Sequence, residues 1–167
     1  MVEATLSQIV TILKDAENHH NWVFLSKSAK IVDVTDDFNW KYYSYTDVPW
    51  PASNRDYYTN AILKQNDIDY TVTISSKAIP DFAPKLNDCV RIQYIESLWT
   101  LNPIGNGSVF IKFELAIDPG GNIPAWIVNL AVTKGPFSTM NGLIKELNKN
   151  YNNNIKLDYI KELTLTN

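Results

Sequence analysis

A chain of 167 residues, 45% hydrophobic and 20% charged, is long enough for one domain with a substantial core. Its net charge of −3 and its lack of basic runs give no electrostatic basis for binding nucleic acid. The lone Cys89 excludes an internal disulfide, and no apolar stretch approaches the roughly 20 residues of a membrane helix.

The start, Met1-Val2-Glu3-Ala4, lacks the pattern of a signal peptide. A cytoplasmic location is expected for the sequence as it stands, and an exported or periplasmic one if an N-terminal segment has been removed. Residues 5–18 place Leu6, Ile9, Val10, Ile12, Leu13 and Ala16 on a helical stripe, opened by Thr5 and Gln8 at capping-box spacing. His19 and His20 follow as neighbours, which cannot converge on one metal, so a solvated helix end is expected there. Strand-like runs come next at about 28–35, 38–46, 55–64, 69–75, 89–102 and 109–117. Turn signals separate them, from Asp36-Asp37 through the segment from Pro49 to Asn54 to Gly105-Asn106-Gly107. Val109, Ile111, Phe113, Leu115 and Ile117 alternate with Phe110, Lys112, Glu114 and Ala116. One-sided apolar strands joined by short turns predict an antiparallel sheet with one covered face.

The last strand runs into Asp118-Pro119-Gly120-Gly121-Asn122-Ile123-Pro124. Proline cannot donate to a sheet ladder and glycine permits backbone angles closed to other residues, so the strand stops here. Pro124 suits the first turn of a helix over about 124–149, which carries Trp126, Ile127, Leu130, Met140, Leu143, Ile144 and Leu147. Gly135-Pro136 should bend or locally unwind it. The Asn-rich run 148–154 reads as a loop, and 158–163 as one further helical turn. The prediction is a single α+β domain over 1–167, a curved antiparallel sheet wrapped around a long C-terminal helix with an apolar cavity between them.

Three segments in order resemble the START family of StAR-related lipid-transfer domains. They are the run from Val48 to Tyr57 (V-P-W-P-A-S-N-R-D-Y), Val90-Arg91-Ile92 with Trp99-Thr100-Leu101-Asn102-Pro103, and the run from Asp118 to Asn129 (D-P-G-G-N-I-P-A-W-I-V-N). Asp15-Ala16-Glu17 and Trp22 resemble the family's helix ending and following tryptophan, so the likeness covers about residues 5–149. It implies a helix-grip fold whose apolar tunnel holds one lipid or sterol. It implies a gate, here Val48 to Asn54 with the helix face from Trp126 to Thr133. It also implies an N-terminal helix and about three strands, for which this chain has no room. Either these elements belong to an N-terminal segment that has been removed, or the missing edge is supplied otherwise, for instance by a second copy, because an unprotected sheet edge favours pairing with another chain. Sterol-carrying members have a buried arginine where this chain has Ala61, which implies a more uniformly apolar cavity.

The candidate ligand-binding residues are Trp50, Arg55, Arg91, Tyr94, Trp126, Asn129, Leu130 and Thr133. Arg55 contacts a ligand headgroup or fixes the lid, or else, with Asp56, serves a structural ion pair or turn. Arg91 is a polar anchor, a structural ion pair or a solvated charge. Trp50, Trp99 and Trp126 are candidates to line the tunnel, but Trp50 in the proline loop better suits lid or membrane contact, and Trp99 and Trp126 better suit core packing. Asn129 bonds a ligand or a backbone carbonyl. No cofactor, metal or catalytic residue is expected, since nothing assembles a nucleophile, base and oxyanion site. The reading is a non-enzymatic carrier of one lipid, fatty acyl compound or similar molecule, with transient membrane contact and self-association through a sheet edge. The alternatives are a polyketide cyclase or aromatase of the wider superfamily, using Arg55, Arg91, Tyr57 or Tyr94, and a protein-interaction module.

Overall fold

The computed structural model describes residues 1–149 and 155–163. In chain order the elements are β1 (Val2–Glu3), α1 (Leu6–Lys14), a 3₁₀ turn (Ala16–Asn21), β2 (Ser26–Asp36) and β3 (Asn39–Thr46). There follow β4 (Asn54–Gln65), β5 (Val72–Ala78), β6 (Cys89–Arg91), β7 (Tyr94–Gly105), β8 (Ser108–Asp118) and α2 (Ala125–Asn148). The strands form one open sheet ordered β1-β8-β7-β5-β4-β3-β2, with β6 attached to β4. Its main path is antiparallel, but β6 pairs with β4 in parallel.

The register explains where the interior lies. Leu63, Ile74, Trp99 and Phe113 sit opposite one another across four strands, as do Gln65, Val72, Leu101 and Ile111. This end of the sheet is solid core, packed with Leu6, Ile9, Val10 and Leu13 of α1 and Leu143 of α2. The next inward layer reads Trp40, Ala61, Ser76, Ser97 and Leu115, with three small side chains in the middle. Small residues facing a helix leave volume that bulkier neighbours would have filled.

Several elements differ from the sequence-based expectation. The capping box at Thr5 and Gln8 forms, but α1 ends at Lys14 because Asp15 leaves helical geometry, and the chain tightens into the 3₁₀ turn. The run 89–102 is two strands, since Arg91 turns to Asp56 and the Ile92 N–H bonds the Asp56 carbonyl. Strand β5 starts at Val72 rather than 69, because Tyr70 holds a left-handed φ of 58°. A short β1, unforeseen in the sequence, covers the edge of β8 only at Val109 and Ser108. α2 stays helical through Gly135-Pro136 without unwinding, although Pro136 removes one helix hydrogen bond. Gly142 lies against the backbone of Trp22, where a Cβ would sit 2.3 Å from the carbonyl oxygen. Residues 158–163 make an isolated turn instead of a helical one. Of the expected loop 148–154, Asn148 closes α2 and 150–154 lie outside the described residues.

Candidate functional site

A cavity of about 280 Å³ lies between the sheet and the first half of α2. That is close to the lower end of the ~300–1,000 Å³ typical of ligand pockets. One end is walled by Leu13, His19, Trp22, Trp40, Ala61 and Ile74, and the other by Arg55, Ile92, Pro119, Ile123 and Ile127. Arg55 and Ala61 are six residues apart on β4, which spans about 20 Å at the strand rise. Leu115, Ile117, Val128 and Val132 line the cavity and are also solvent-exposed, so its rim runs between β8 and α2.

Strand alternation sends Arg55 and Asp56 to opposite faces, and the chemistry of the two sides differs. Asp56 meets Arg91 on the face away from the cavity. Arg91 donates Nε–H and Nη2–H to the two Asp56 carboxylate oxygens at 2.9 and 2.8 Å. Its other guanidinium bonds reach the Pro80, Ala83 and Pro84 carbonyls at 2.8–3.1 Å. These bonds use all five N–H groups of the side chain, and the ion pair is buried on both sides. Arg91 is thus a structural tie for the segment between β5 and β6, and the Asp56 pairing holds its guanidinium pKa up.

Arg55 is equally buried, 2% exposed, but faces the cavity. It donates Nε–H to the Pro119 carbonyl at 3.4 Å, Nη2–H to the Gly120 carbonyl at 3.0 Å and Nη1–H to the Ser53 carbonyl. All three acceptors are neutral, and among the described residues no carboxylate lies within ion-pair distance. Burial lowers its pKa. Gly120 and Gly121, both at positive φ, let the turn after β8 bring these carbonyls to the guanidinium.

At the other end, His19 is buried, with one ring nitrogen, Nε2, 3.2 Å from the Leu13 carbonyl. Burial drives its pKa down to about 4, against smaller upward pulls from that hydrogen bond and from Asp15. The ring is therefore neutral at physiological pH, with Nε2–H as donor and Nδ1 as acceptor. Trp22 beside it has a buried indole N–H with no hydrogen-bond partner among the described residues. Tyr57, half-buried midway along the wall, has its hydroxyl pKa raised by desolvation and by Tyr42. The expected solvated histidine pair is half correct: His20 is exposed, but His19 turns inward because the 3₁₀ turn rotates it beneath Tyr42.

Of the candidate residues, Arg55 belongs to the cavity wall. Trp50 projects from its loop and is 88% exposed, and only Val48 of the segment from Val48 to Asn54 shares the wall with Arg55. Arg91 lies on the opposite face of the sheet, and Tyr94 is exposed with its hydroxyl on Glu96. Trp126 is 52% exposed rather than packed in the core. Asn129 and Thr133 are exposed and joined by the Thr133 hydroxyl donating to the Asn129 carbonyl, and Leu130 also lies off the wall. The helix presents Ile127, Ala131, Gly135 and Thr139 instead, an i, i+4 row, with Val128, Val132 and Pro136 beside it. Sequence reasoning missed His19, Ser76, Ser97 and this row. The alternation of β5 and β7 carries the signal for the serines.

A sheet gripping a helix around an apolar chamber, with one charged group in its wall, defines a helix-grip binding domain. The chain belongs to the START domain family, whose model matches residues 1–152. It is 28% identical over 142 residues to a Pseudomonas aeruginosa protein of uncharacterized function, covering 85% of this chain and 69% of that one. It is 31% identical over 102 residues to the Rattus norvegicus phosphatidylcholine transfer protein, covering 58% of this chain and 47% of the relative. The chain thus spans about half the length of that transfer protein. A solved fragment of a STAR-related lipid transfer protein from Xanthomonas axonopodis superposes with a TM-score of 0.80 at 29% identity, covering 89% of this chain and 82% of that fragment.

Proposed function

We propose that this protein is a non-catalytic carrier that holds one lipid or other apolar small molecule between its sheet and the first half of α2. The observation that carries this reading is the 280 Å³ cavity itself, kept open by Ala61, Ser76 and Ser97 and walled mostly by apolar side chains. Burying a ligand's apolar surface there yields about 25 cal/mol per Å², before the cost of ordering it. The unpartnered Trp22 N–H supports the same reading, since a ligand acceptor would relieve an unmet buried donor. An enzymatic role draws less support. Of the polar residues it would use, Arg91 and Tyr94 lie off the wall, and among the described residues the wall carries no carboxylate. Exposed Trp50, Val132 and Phe137 support transient membrane contact during loading. The outer edge of β8 beyond Val109, which no described strand covers, supports self-association. Among the described residues no helix is long and apolar enough to cross a membrane.

Native mass spectrometry after incubation with phosphatidylcholine vesicles tests all of this in one spectrum. A discrete lipid mass on the wild type is expected, lost in Ala61→Leu, which fills the chamber, and slowed in Trp50→Ser. The same spectrum reads the oligomeric state. A wild-type protein that neither co-purifies with nor takes up any lipid sinks the carrier reading.

A further inference from the structure

We infer that the molecule carried is an anionic amphiphile, whose single carboxylate or phosphate group is met by Arg55 at the α2 end of the cavity. This rests on the carrier reading above and narrows its ligand class.

Two buried arginines on the paired strands β4 and β6 differ in their partners. Arg91 is neutralised by Asp56 and has every N–H bonded. Arg55 spends three of its five N–H groups on carbonyls, leaving two, and among the described residues it forms no ion pair. A buried charge without a counter-charge is costly, and hydrogen bonds to neutral carbonyls offset only part of that cost. Of the nearby acids, Asp56 is paired with Arg91, and Asp118 keeps its charge at the surface, accepting the Gly120 N–H at 2.9 Å without forming an ion pair with Arg55.

The surroundings add to the positive potential. Ile123 and Ile127 share the cavity wall with Arg55, so α2 begins at this end. The helix starts after Pro124 with no side-chain cap and no acidic residue in its first turn, leaving its amide dipoles uncompensated. Arg55 and the uncompensated start of α2 therefore lie at the same end of an otherwise apolar chamber. The opposite end is uncharged, because His19 is neutral, and its polar groups, the Trp22 N–H, the His19 ring and the Tyr42, Ser76 and Thr139 hydroxyls, are all neutral. An elongated molecule with an acidic head beside Arg55 and an apolar tail toward Trp22 and Trp40 satisfies both ends. A neutral amphiphile would leave the guanidinium unanswered.

The test compares palmitate, hexadecyl phosphate and hexadecanol, which differ only modestly in tail and strongly in head charge. Dissociation constants are measured by displacement of a fluorescent probe from the full chain. The expected result is that the wild type binds at least one of the two acids at least about tenfold more tightly than the alcohol. Which acid wins separates a carboxylate ligand from a phosphate one. Arg55→Gln should lose that preference while still binding hexadecanol, and Arg55→Lys should retain part of it. Equal affinity of the wild type for acid and alcohol overturns the inference but leaves the carrier reading intact, as does an undiminished preference in Arg55→Gln. Binding of none of the probes removes both. Should Arg55→Gln fail to fold, the wild-type series alone still decides.

Discussion

At the scale of single residues, burial separates groups that look alike in the sequence. Arg55 and Arg91 both sit in strands, and His19 and His20 are neighbours, yet one of each pair reaches the cavity and the other does not. For His19 the consequence is measurable. Its pKa in the folded chain, about 4, lies below the ordinary 6.5. The unfolded chain therefore takes up the proton first, and stability falls as pH drops from about 6.5 toward 4, by something on the order of 3 kcal/mol. Urea midpoints at pH 7 and about pH 4.5 should show this loss in the wild type and a smaller one in His19→Asn. An identical loss in the two proteins would mean that His19 is not buried neutral.

At the scale of elements, α2 is one continuous helix whose two halves have different surroundings. Its second half is locked: Thr139, Leu143 and Glu146 are buried, the Thr139 hydroxyl accepts from the Phe24 N–H at 3.1 Å, and Gly142 touches the Trp22 backbone. A Cβ at Gly142 would meet the Trp22 carbonyl oxygen and Cα at 2.3 and 2.9 Å, backbone atoms that cannot swing aside. Gly142→Ala should thus destabilise the protein by about 1–3 kcal/mol despite alanine's better helix propensity. A denaturation midpoint unchanged or raised in that variant would show that α2 does not cross so close. The face that α2 gives the cavity was not legible from its apolar residues. Trp126, Leu130 and their neighbours look like a stripe, but the helix turns Ala131 and Gly135 inward, because a chamber needs small side chains where a core needs large ones.

At the scale of the whole molecule, one end of the sheet is solid and the other hollow. Opening should follow that division. The cavity takes its α2 wall from Ile127 to Thr139, so with the proposed lipid bound hydrogen exchange should slow over residues 125–139 and change little over 140–148. Uniform protection along α2 would instead place the ligand elsewhere. By itself the sequence determined the α+β architecture, the strands near their true ends, the stop at Asp118-Pro119-Gly120-Gly121 and the long final helix. Periodicity and turn chemistry are local, and they survive without knowledge of partners. The three START-like segments were equally legible. Only the tertiary structure decided which arginine is neutralised, that β6 pairs in parallel, that His19 faces inward and which side of α2 lines the chamber. Each of these depends on residues far apart in the chain meeting across the fold: Asp56 with Arg91, Arg55 with Gly120, and Trp22 with Gly142.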